Sequence, residues 1–311
     1  MHDARLAFVN FFTVIHTRLS FFLGTCLSLL SPSVSAESFR LAGSDLVAPA
    51  LESVLQTLAD QRSMALSVDL GGTIPGRTAL SNGDADVAII AVPDNQELSS
   101  EGLRRVPLAF QISVVVVQGG NSLPGISAEE LAGIFSDSAE RSIRNWADLD
   151  ESASFGDDKI NPLAVSSEDT FLALELFKYS VMPKGSLLNN VTLFEAQKDA
   201  ESRLLKDSSA IAVLPAPPES RLLRVLPISK GRTSDGQTNP AFGPSAENVY
   251  HGDYALRLPL YIVFDQGRAS EVEPLVRMLL TEEVSKALEA EGFVTVPEKF
   301  RLDILDVLDR P

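Results

Sequence analysis

Apolar residues along this chain alternate between short continuous runs and stretches with helical spacing. Residues 39–42, 66–70 and 86–92 are short, mostly apolar runs that each end at a turn, which indicates β-strands. Between the first two runs, apolar side chains at positions 51, 54, 55 and 58 have the spacing of a helix. Strands that alternate with helices are typical of an α/β fold, and the run 86–92 favours a parallel sheet covered on both faces.

The same alternation continues through the rest of the chain. Residues 112–117 form the most β-prone run, with four valines in succession, and Gly119-Gly120-Asn121 breaks it. Ser127 followed by Glu130 forms a capping box, which predicts a helix as far as Phe135. Further strands are predicted at 163–165, 208–214 and 258–264, further helices from about 166 and over 271–288, and a long irregular loop over 230–253.

The first 36 residues have the layout of a secretory signal. Arg5 and Arg18 precede an apolar core at residues 19–30, and Val34-Ser35-Ala36 is a small-residue cleavage site. The apolar residues also allow an uncleaved anchor over 6–30, and Leu23-Gly24-Thr25-Cys26 faintly resembles a lipoprotein box. Cleavage is the stronger interpretation, because polar residues interrupt the anchor and threonine is a poor residue before a lipidated cysteine.

Removal of residues 1–36 would leave a protein without a thiol and with a single imidazole. The only cysteine, Cys26, and two of the three histidines lie in that segment, so His251 remains. A thiol nucleophile, a disulfide framework and a His/Cys zinc site are therefore excluded. His251 and the nearby Asp253 allow a Ser/His/Asp hydrolase as a rival function, although the chain has no Gly-x-Ser-x-Gly elbow. We predict a binding protein and not an enzyme, with no cofactor and no metal.

Charge and composition narrow the range of partners. The net charge is −16 and the hydrophobic content is 45%, so the chain is acidic and has enough apolar residues for a folded core. Nucleic acid is excluded as a partner, because binding to its phosphates needs clustered Lys and Arg, whereas this chain is strongly acidic. The acidity favours solubility in an extracytoplasmic space.

Four stretches, in order along the chain, point to a family. They are Gly43-Ser44-Asp45; Gly71-Gly72-Thr73 with 79–88; 106–110 with 114–117, 126–135 and 145–149; and 258–263 with 290–294. In these stretches the chain resembles the phosphate-type (PstS-like) periplasmic solute-binding proteins of ABC transporters, which have the type II periplasmic binding protein fold. The resemblance covers about residues 39–297.

The resemblance implies an α/β fold of two lobes, with mixed sheets flanked by helices and two crossing hinge strands. One crossing is expected at 112–117 and the return near Leu258, so the first lobe is 37–113 plus 256–311 and the second lobe is 114–255. It also implies a small-molecule or anion ligand in the cleft between the lobes, an ABC transporter permease as partner, a periplasmic or secreted location, and a monomer.

Turns that lead from a strand into a helix are the candidate ligand sites. Such turns expose N–H groups at a helix N-terminus, glycine allows close approach of the backbone, and Ser or Thr hydroxyls donate hydrogen bonds. An ordinary turn with an N-cap has the same pattern, so both interpretations stay open. The resemblance assigns ligand binding to Gly43, Ser44, Asp45, Gly72, Thr73, Ser166 and Thr170.

The third ligand turn departs from the family pattern. Phosphate binders carry an arginine and then Ser-Gly-Thr before a helix, whereas here Ala164 takes the arginine position and Glu168-Asp169 replace Ser-Gly. After the strand at 86–92, Ala91-Val92-Pro93 stands where the family has Ser-Arg. Two cationic positions are lost and two carboxylates are added, with Arg77 as the candidate for compensation.

We therefore predict that the fold is kept and that tight phosphate binding is lost. The cleft would hold a neutral polar or cationic solute, or no small molecule. The alternative is a binding-protein-like domain adapted to a protein partner or to sensing without transport. A hydrolase that uses His251 ranks third.

Overall fold

The computed structural model of the chain describes residues 38–94, 96, 102–149, 158–167, 171–231, 237 and 239–308. The predicted signal segment 1–36 and the ligand candidate Thr170 lie outside the described residues. Within the described ranges, no helix is both long enough and apolar enough to span a bilayer.

The described strands follow the apolar runs of the sequence. In chain order they are β1 (Ser38–Gly43), β2 (Ala65–Asp69), β3 (Val87–Ala91), β4 (Leu103–Ile112), β5 (Val114–Gln118), β6 (Ile126–Ser127), β7 (Asn161–Val165), β8 (Thr192–Phe194), β9 (Ala210–Leu214), β10 (Leu223–Val225), β11 (Ile228–Ser229), β12 (Ala241–Phe242), β13 (Arg257–Asp265) and β14 (Val294–Thr295). The strands predicted from apolar runs are present with small shifts in their bounds, except that the run 112–117 is divided at Ser113 between β4 and β5.

Helices alternate with these strands, as the sequence predicts. In chain order they are α1 (Ala48–Gln61), α2 (Thr73–Asn82), α3 (Ala128–Phe135), α4 (Phe171–Val181), α5 (Gln197–Lys206), α6 (Ala246–His251), α7 (Ala269–Leu279), α8 (Glu282–Ala290) and α9 (Glu298–Leu308). The predicted capping box opens α3, because the Ser127 hydroxyl accepts a hydrogen bond from the N–H of Glu130 at 3.2 Å. The Glu130 carboxylate in turn accepts one from the N–H of Ser127 at 2.8 Å.

Two larger sheets organise the chain. The first sheet has the order β14-β4-β13-β3-β1-β2, in which β1 pairs with β2 and β3 in parallel and β13 pairs with β3 and β4 in the antiparallel sense. The second sheet has the order β10-β5-β9-β7-β8, in which β7 runs parallel to β8 and β9. A small third sheet joins β12, β11 and β6.

Each larger sheet has its own main hydrophobic core, and Phe110 and Ile112 of β4 join the core of the second sheet. Helices α1, α7 and α8 pack on one face of the first sheet. The core between them includes Leu51 of α1 and Phe264 of β13. On its other face, α2 contributes Leu80 to a smaller cluster around Ile90. The second sheet and its helices α4 and α5 enclose the four valines 114–117. The mixed sheets are therefore covered by helices and form two α/β lobes.

Ser113 marks the place where the chain passes from the first sheet to the second. β4 ends at Ile112 in the first sheet, and β5 begins at Val114 in the second. The N–H of Ser113 donates to the carbonyl of Leu256 at 3.1 Å, just before β13 begins at Arg257. The outgoing and returning strands therefore cross side by side.

The prediction of one long helix over 271–288 is wrong. α7 ends at Leu279 and α8 begins at Glu282. The hydroxyl of Thr281 accepts a hydrogen bond from the N–H of Val284 at 3.5 Å and caps the second helix. The apolar spacing continues across the break because both helices bury residues in the same core.

The prediction of an irregular loop over 230–253 is wrong in part. β12 and α6 lie within this stretch. The hydroxyl of Ser245 caps α6 by accepting from the N–H of Asn248 at 3.2 Å, and Gly252 ends the helix with a φ of 81°. Two of the small residues that suggest a loop here, Ser245 and Gly252, are the caps of a short helix.

Candidate ligand site

The first candidate turn follows β1 and requires a glycine. Gly43 has a φ of 144°, and a Cβ at this position would collide with the backbone of Ile89 in β3. The N–H of Ser44 donates to the carbonyl of Ile89 at 2.7 Å, and Ser44 is 1% exposed. The Ser44 hydroxyl accepts a long hydrogen bond, 3.4 Å, from the N–H of Leu46. The turn is therefore fixed against the end of β3.

The second candidate turn packs directly on the first. The N–H of Gly72 donates to the carbonyl of Gly43 at 2.8 Å. Gly76 in α2 lies so close that a Cβ there would fall 2.5 Å from the Cα of Gly43. The Thr73 hydroxyl accepts a hydrogen bond from the N–H of Ala91, at the end of β3, at 3.2 Å. The carboxyl ends of two parallel strands thus bring the first two candidate turns together.

The third candidate turn follows β7 in the second sheet. Ser166 is half-buried, and its N–H donates to the carbonyl of Phe194 in β8 at 2.8 Å. Thr170, like Glu168 and Asp169, lies outside the described residues. Ser166 is therefore placed at the carboxyl end of a parallel strand, as the first two turns are.

A cavity of about 470 Å³ lies between the first turn and α4. Its lining comes from both sheets and from the crossing, and includes Asp45, Gln111, Leu172, Pro215, Glu291 and Phe293. Leu172 belongs to the first turn of α4, the helix that follows the third candidate turn. The volume is in the range of small-molecule pockets. The first candidate turn and the helix after the third therefore share one cavity.

The lining of this cavity is acidic. Its charged members among the described residues are Asp45 and Glu291, and neither carboxylate forms an ion pair within that part of the chain. Gln111 adds a neutral polar side chain. Arg77, the candidate for compensation, is exposed on α2 and is not among the described lining residues. The described lining therefore contains negative charge and no cation.

Arg257, which has no signal in the sequence, lies at the crossing. Its guanidinium donates to both carboxylate oxygens of Asp94, at 2.8 and 2.7 Å. It also donates to the carbonyls of Val249 and Tyr250 and lies 5.3 Å over the ring of Phe110. The side chain is 10% exposed. Its donors are therefore committed to protein partners and are not presented to an anion.

Ser113 is a second residue of the crossing that no local pattern marks. It is fully buried, and its hydroxyl donates to the carbonyl of Ala173 in the first turn of α4. Its own carbonyl accepts a hydrogen bond from the Tyr254 hydroxyl at 2.6 Å. Burial raises the pKa of Tyr254, so this hydroxyl stays protonated and remains the donor. These bonds join both crossing segments to the helix that borders the cavity.

At the opposite end of β3 a carboxylate is fully compensated. Asp86 accepts hydrogen bonds from Arg40 at 3.2 and 2.9 Å and lies 3.1 Å from Arg268. Burial alone would raise the pKa of Asp86, but the hydrogen bonds from the guanidinium and the backbone N–H of Arg40 and from the guanidinium of Arg268 outweigh it and hold the pKa below its usual value. Five strand residues, about 16 Å, separate this cluster from the candidate turns.

His251, the residue of the rival hydrolase hypothesis, packs against aromatic side chains. The His251 ring meets Tyr250 and Phe300 edge-on, at centroid distances of 5.2 and 5.0 Å. Across the described residues, no group of three His, Cys, Asp or Glu side chains is arranged to hold a metal ion.

The chain is similar to a known family of proteins. The family model described as the PBP superfamily domain matches residues 31–286. Protein SphX of Synechococcus elongatus is 25% identical over 267 residues, which cover 83% of this chain and 77% of that protein. The phosphate-binding protein PstS of Staphylococcus aureus is 24% identical over 281 residues, which cover 86% of this chain and 80% of that protein.

The structure of an ABC-type phosphate transport receptor from Vibrio cholerae has the same fold. It superposes with a TM-score of 0.57 at 16% identity and covers 83% of this chain and 100% of that one. The two-lobed α/β fold with two crossing strands is therefore confirmed. The expectation of a binding protein and not an enzyme is confirmed by the family match, which spans most of the chain. The chain belongs to the family described as the PBP superfamily domain.

Proposed function

We propose that this chain is an extracytoplasmic solute-binding protein that captures a small solute between its two lobes. The family match supports this role, and so does a cavity beside the first candidate turn, on which the second turn packs. The crossing at Ser113 supports lobe bounds of 37–113 plus 256–311 and 114–255. The proposed ligand contacts are Gly43, Ser44, Asp45, Gly72, Thr73, Ser166 and Thr170.

The ligand we propose is a neutral polar or cationic solute and not tightly bound phosphate. The single observation that carries this is the acidic lining with Asp45 and Glu291. Like charges about 4 Å apart repel by roughly 4 kcal/mol at an effective dielectric near 20. A helix N-terminus returns only about 0.3–1 kcal/mol, and up to roughly 2 kcal/mol in favourable geometry. A phosphate oxygen at that distance from either carboxylate would therefore be repelled by more than the helix ends contribute.

The supply of backbone donors at the two joined turns is also reduced. The N–H of Gly72 is bonded to the protein backbone, and so is that of Ser44. Pro49 in the first turn of α1 and Pro75 in the first turn of α2 each remove one N–H that a helix N-terminus would offer. The Thr73 hydroxyl accepts from Ala91 and keeps its proton for a ligand. This pattern suits a ligand that needs few donors.

The partner and location follow from the same proposal. The solute would be delivered to an ABC transporter permease, and the protein would act as a monomer outside the cytoplasm after removal of residues 1–36. The net charge of −16 argues against nucleic acid as a partner.

Thermal unfolding against a panel of solutes tests the receptor role. The panel contains phosphate, sulfate, neutral sugars, amino acids and small amines. A ligand at a hundred times its dissociation constant raises the free energy of unfolding by about 2.7 kcal/mol, which is several degrees in Tm. We expect a neutral or cationic solute to raise Tm and phosphate to leave it unchanged. A rise with micromolar phosphate would contradict the ligand class, and no rise with any solute would contradict capture itself.

The matched variants for this screen are Asp45→Ala and Asp84→Ala. Both residues are exposed and acidic, but only Asp45 lines the cavity. We expect Asp45→Ala to reduce the Tm rise that the solute causes and Asp84→Ala to preserve it.

A further inference from the structure

The segment that joins α8 to β14 forms a wall of the cavity that the candidate turns do not include. Glu291 and Phe293 of this segment line the cavity, and Glu291 is the C-cap of α8. β14 pairs with the last residues of β4 in the antiparallel sense, so the residues before β14 run beside Gln111. α8 also packs against α1, the helix that follows Asp45. These two contacts bring a carboxylate and an aromatic ring to the cavity.

Most of the remaining described lining is apolar. It comes from the first turn of α4, from the region where α1 begins and from the segment after β9, and consists of Leu46, Pro49, Leu172, Ala173, Pro215 and Ala216. A ligand that fills the cavity therefore places most of its surface against carbon atoms. Removal of apolar ligand surface from water then favours binding.

The hydrogen-bonding side chains of the described lining are few. They are Asp45, Gln111 and Glu291, and the N–H groups of Ser44 and Gly72 are already bonded to backbone carbonyls. A sugar would bring more hydroxyl groups than these side chains can pair, and each unpaired hydroxyl weakens binding. A Ca²⁺ ion takes about six to eight oxygen ligands and gains nothing from an apolar wall. The lining therefore disfavours both a polyol and a metal ion.

An organic cation matches both parts of this lining. The carboxylates of Asp45 and Glu291 have no ion-pair partner within the described part of the chain. The C-terminal end of α8, at Glu291, carries a partial negative charge that also favours a cation. An aromatic ring such as that of Phe293 attracts a cation that approaches its face. The apolar residues supply a surface for the carbon skeleton of the same ligand.

We propose, on the basis of the receptor function proposed above, that the cavity takes an organic ammonium ion. Its charge lies near Asp45 and Glu291, and its apolar body lies against the first turn of α4 and Pro215. The neutral polar or cationic solute is thereby narrowed to one chemical class. Glu291, which none of the three candidate turns contains, becomes a residue that determines specificity.

Titration calorimetry of the full chain with four small probes tests this class. Cyclohexylammonium has both a charge and an apolar body, cyclohexanol has only the body, methylammonium has only the charge, and myo-inositol is a polyol on the same six-carbon ring. We expect cyclohexylammonium to bind at least about ten times more tightly than each of the others, because it alone uses both parts of the lining. Binding of any of the other three as tight as that of cyclohexylammonium would overturn the proposal.

Two variants separate the contributions of charge and apolar body. Glu291→Gln should weaken the binding of cyclohexylammonium at least about five-fold and leave that of cyclohexanol unchanged. Leu172→Ala, at a half-buried position, should weaken both ring compounds and leave methylammonium unchanged. Glu283→Gln is the matched control, because this exposed acid of α8 is not among the described lining residues. Equal affinity for cyclohexylammonium in Glu291→Gln and Glu283→Gln would contradict the role of Glu291.

Two outcomes separate the ligand class from the receptor role. If a neutral solute of the thermal panel raises Tm and cyclohexylammonium does not bind below about 10 mM, the ligand class is wrong and solute capture stands. If no solute of the panel raises Tm and none of the four probes binds, the receptor role is wrong and the ligand class falls with it.

Discussion

The carboxylates at the two ends of the first sheet differ in whether they have ion-pair partners. Where β3 starts, Asp86 has a side chain that is 7% exposed and two guanidinium partners. At the other end, Asp45 and Glu291 line a cavity and have no ion-pair partner among the described residues. The first carboxylate therefore stabilises the fold, whereas in the proposed function the other two select the charge of the solute that the cavity accepts.

A guanidinium at the cavity end of the sheet does not remove this contrast. Arg257 makes two hydrogen bonds to Asp94 and is 10% exposed, so its charge is already balanced. Asp94 directly follows Ala91-Val92-Pro93, the segment that stands where the resembled family has Ser-Arg. The crossing thus has a cation with a structural role, and the cavity keeps its acidic character.

Asp86→Asn is the largest test of the contrast. We expect the free energy of unfolding to fall by about 2–3 kcal/mol at pH 7, because charge-assisted hydrogen bonds to a nearly buried carboxylate are lost. Urea unfolding measures the change. Asp84→Asn, an exposed position two residues earlier, is the control and should change the value by less than about 0.5 kcal/mol. Equal losses in the two variants would contradict a special role for Asp86.

The contribution of Asp86 should also depend on pH with a defined sign. Its pKa is below the usual value in the folded protein, so the stabilisation is complete above the unfolded pKa of about 3.9. It is lost as the pH falls through the folded pKa. Urea titrations between pH 7 and pH 3 should therefore show the wild type and Asp86→Asn converging on acidification. A gap that widens as the pH falls is incompatible with a depressed pKa.

Asp94→Asn tests the balanced cation at the crossing. We expect a loss of about 1 kcal/mol in the free energy of unfolding, because the carboxylate is partly exposed but accepts two charge-assisted bonds. Arg257→Lys should cost at least as much, since an ammonium group cannot form the same two-point contact. Glu291→Gln serves as the control without an ion pair. A loss in the free energy of unfolding there as large as for Asp94→Asn would contradict a stabilising role for the Asp94–Arg257 pair.

Asp45→Asn should have the smallest effect on stability. Its carboxylate has no ion-pair partner within the described ranges, so we expect a change of less than about 0.5 kcal/mol. The same urea measurement applies. A loss of more than about 1 kcal/mol would reveal a stabilising partner for Asp45 and place it with Asp86.

Much of the fold could be predicted from local patterns. Apolar runs mark most strands because each side chain in them is buried on one face of a sheet or on both. β4 escapes prediction, since Arg104, Arg105 and Pro107 interrupt the apolar pattern of this ten-residue strand. The helix break at Thr281 is hidden because the apolar spacing runs through it.

The candidate site could be predicted only where its chemistry is local. The turns at Gly43 and Gly72 are visible because positive φ angles demand glycine. The pair of Arg257 with Asp94 joins positions 163 residues apart, so no spacing rule can find it. The hydrogen bonds of Ser113 are invisible for the same reason, as their partners come from another helix and from the returning strand.

Titration calorimetry with phosphate at pH 7 tests the central claim most directly, namely that uncompensated acids keep a phosphate dianion out of the cavity. The wild type should bind phosphate no more tightly than about millimolar. The double variant Asp45→Asn/Glu291→Gln should bind it at least about ten times more tightly, a difference of roughly 1.4 kcal/mol. Sub-micromolar binding by the wild type, or equal affinity in the two proteins, would contradict the account.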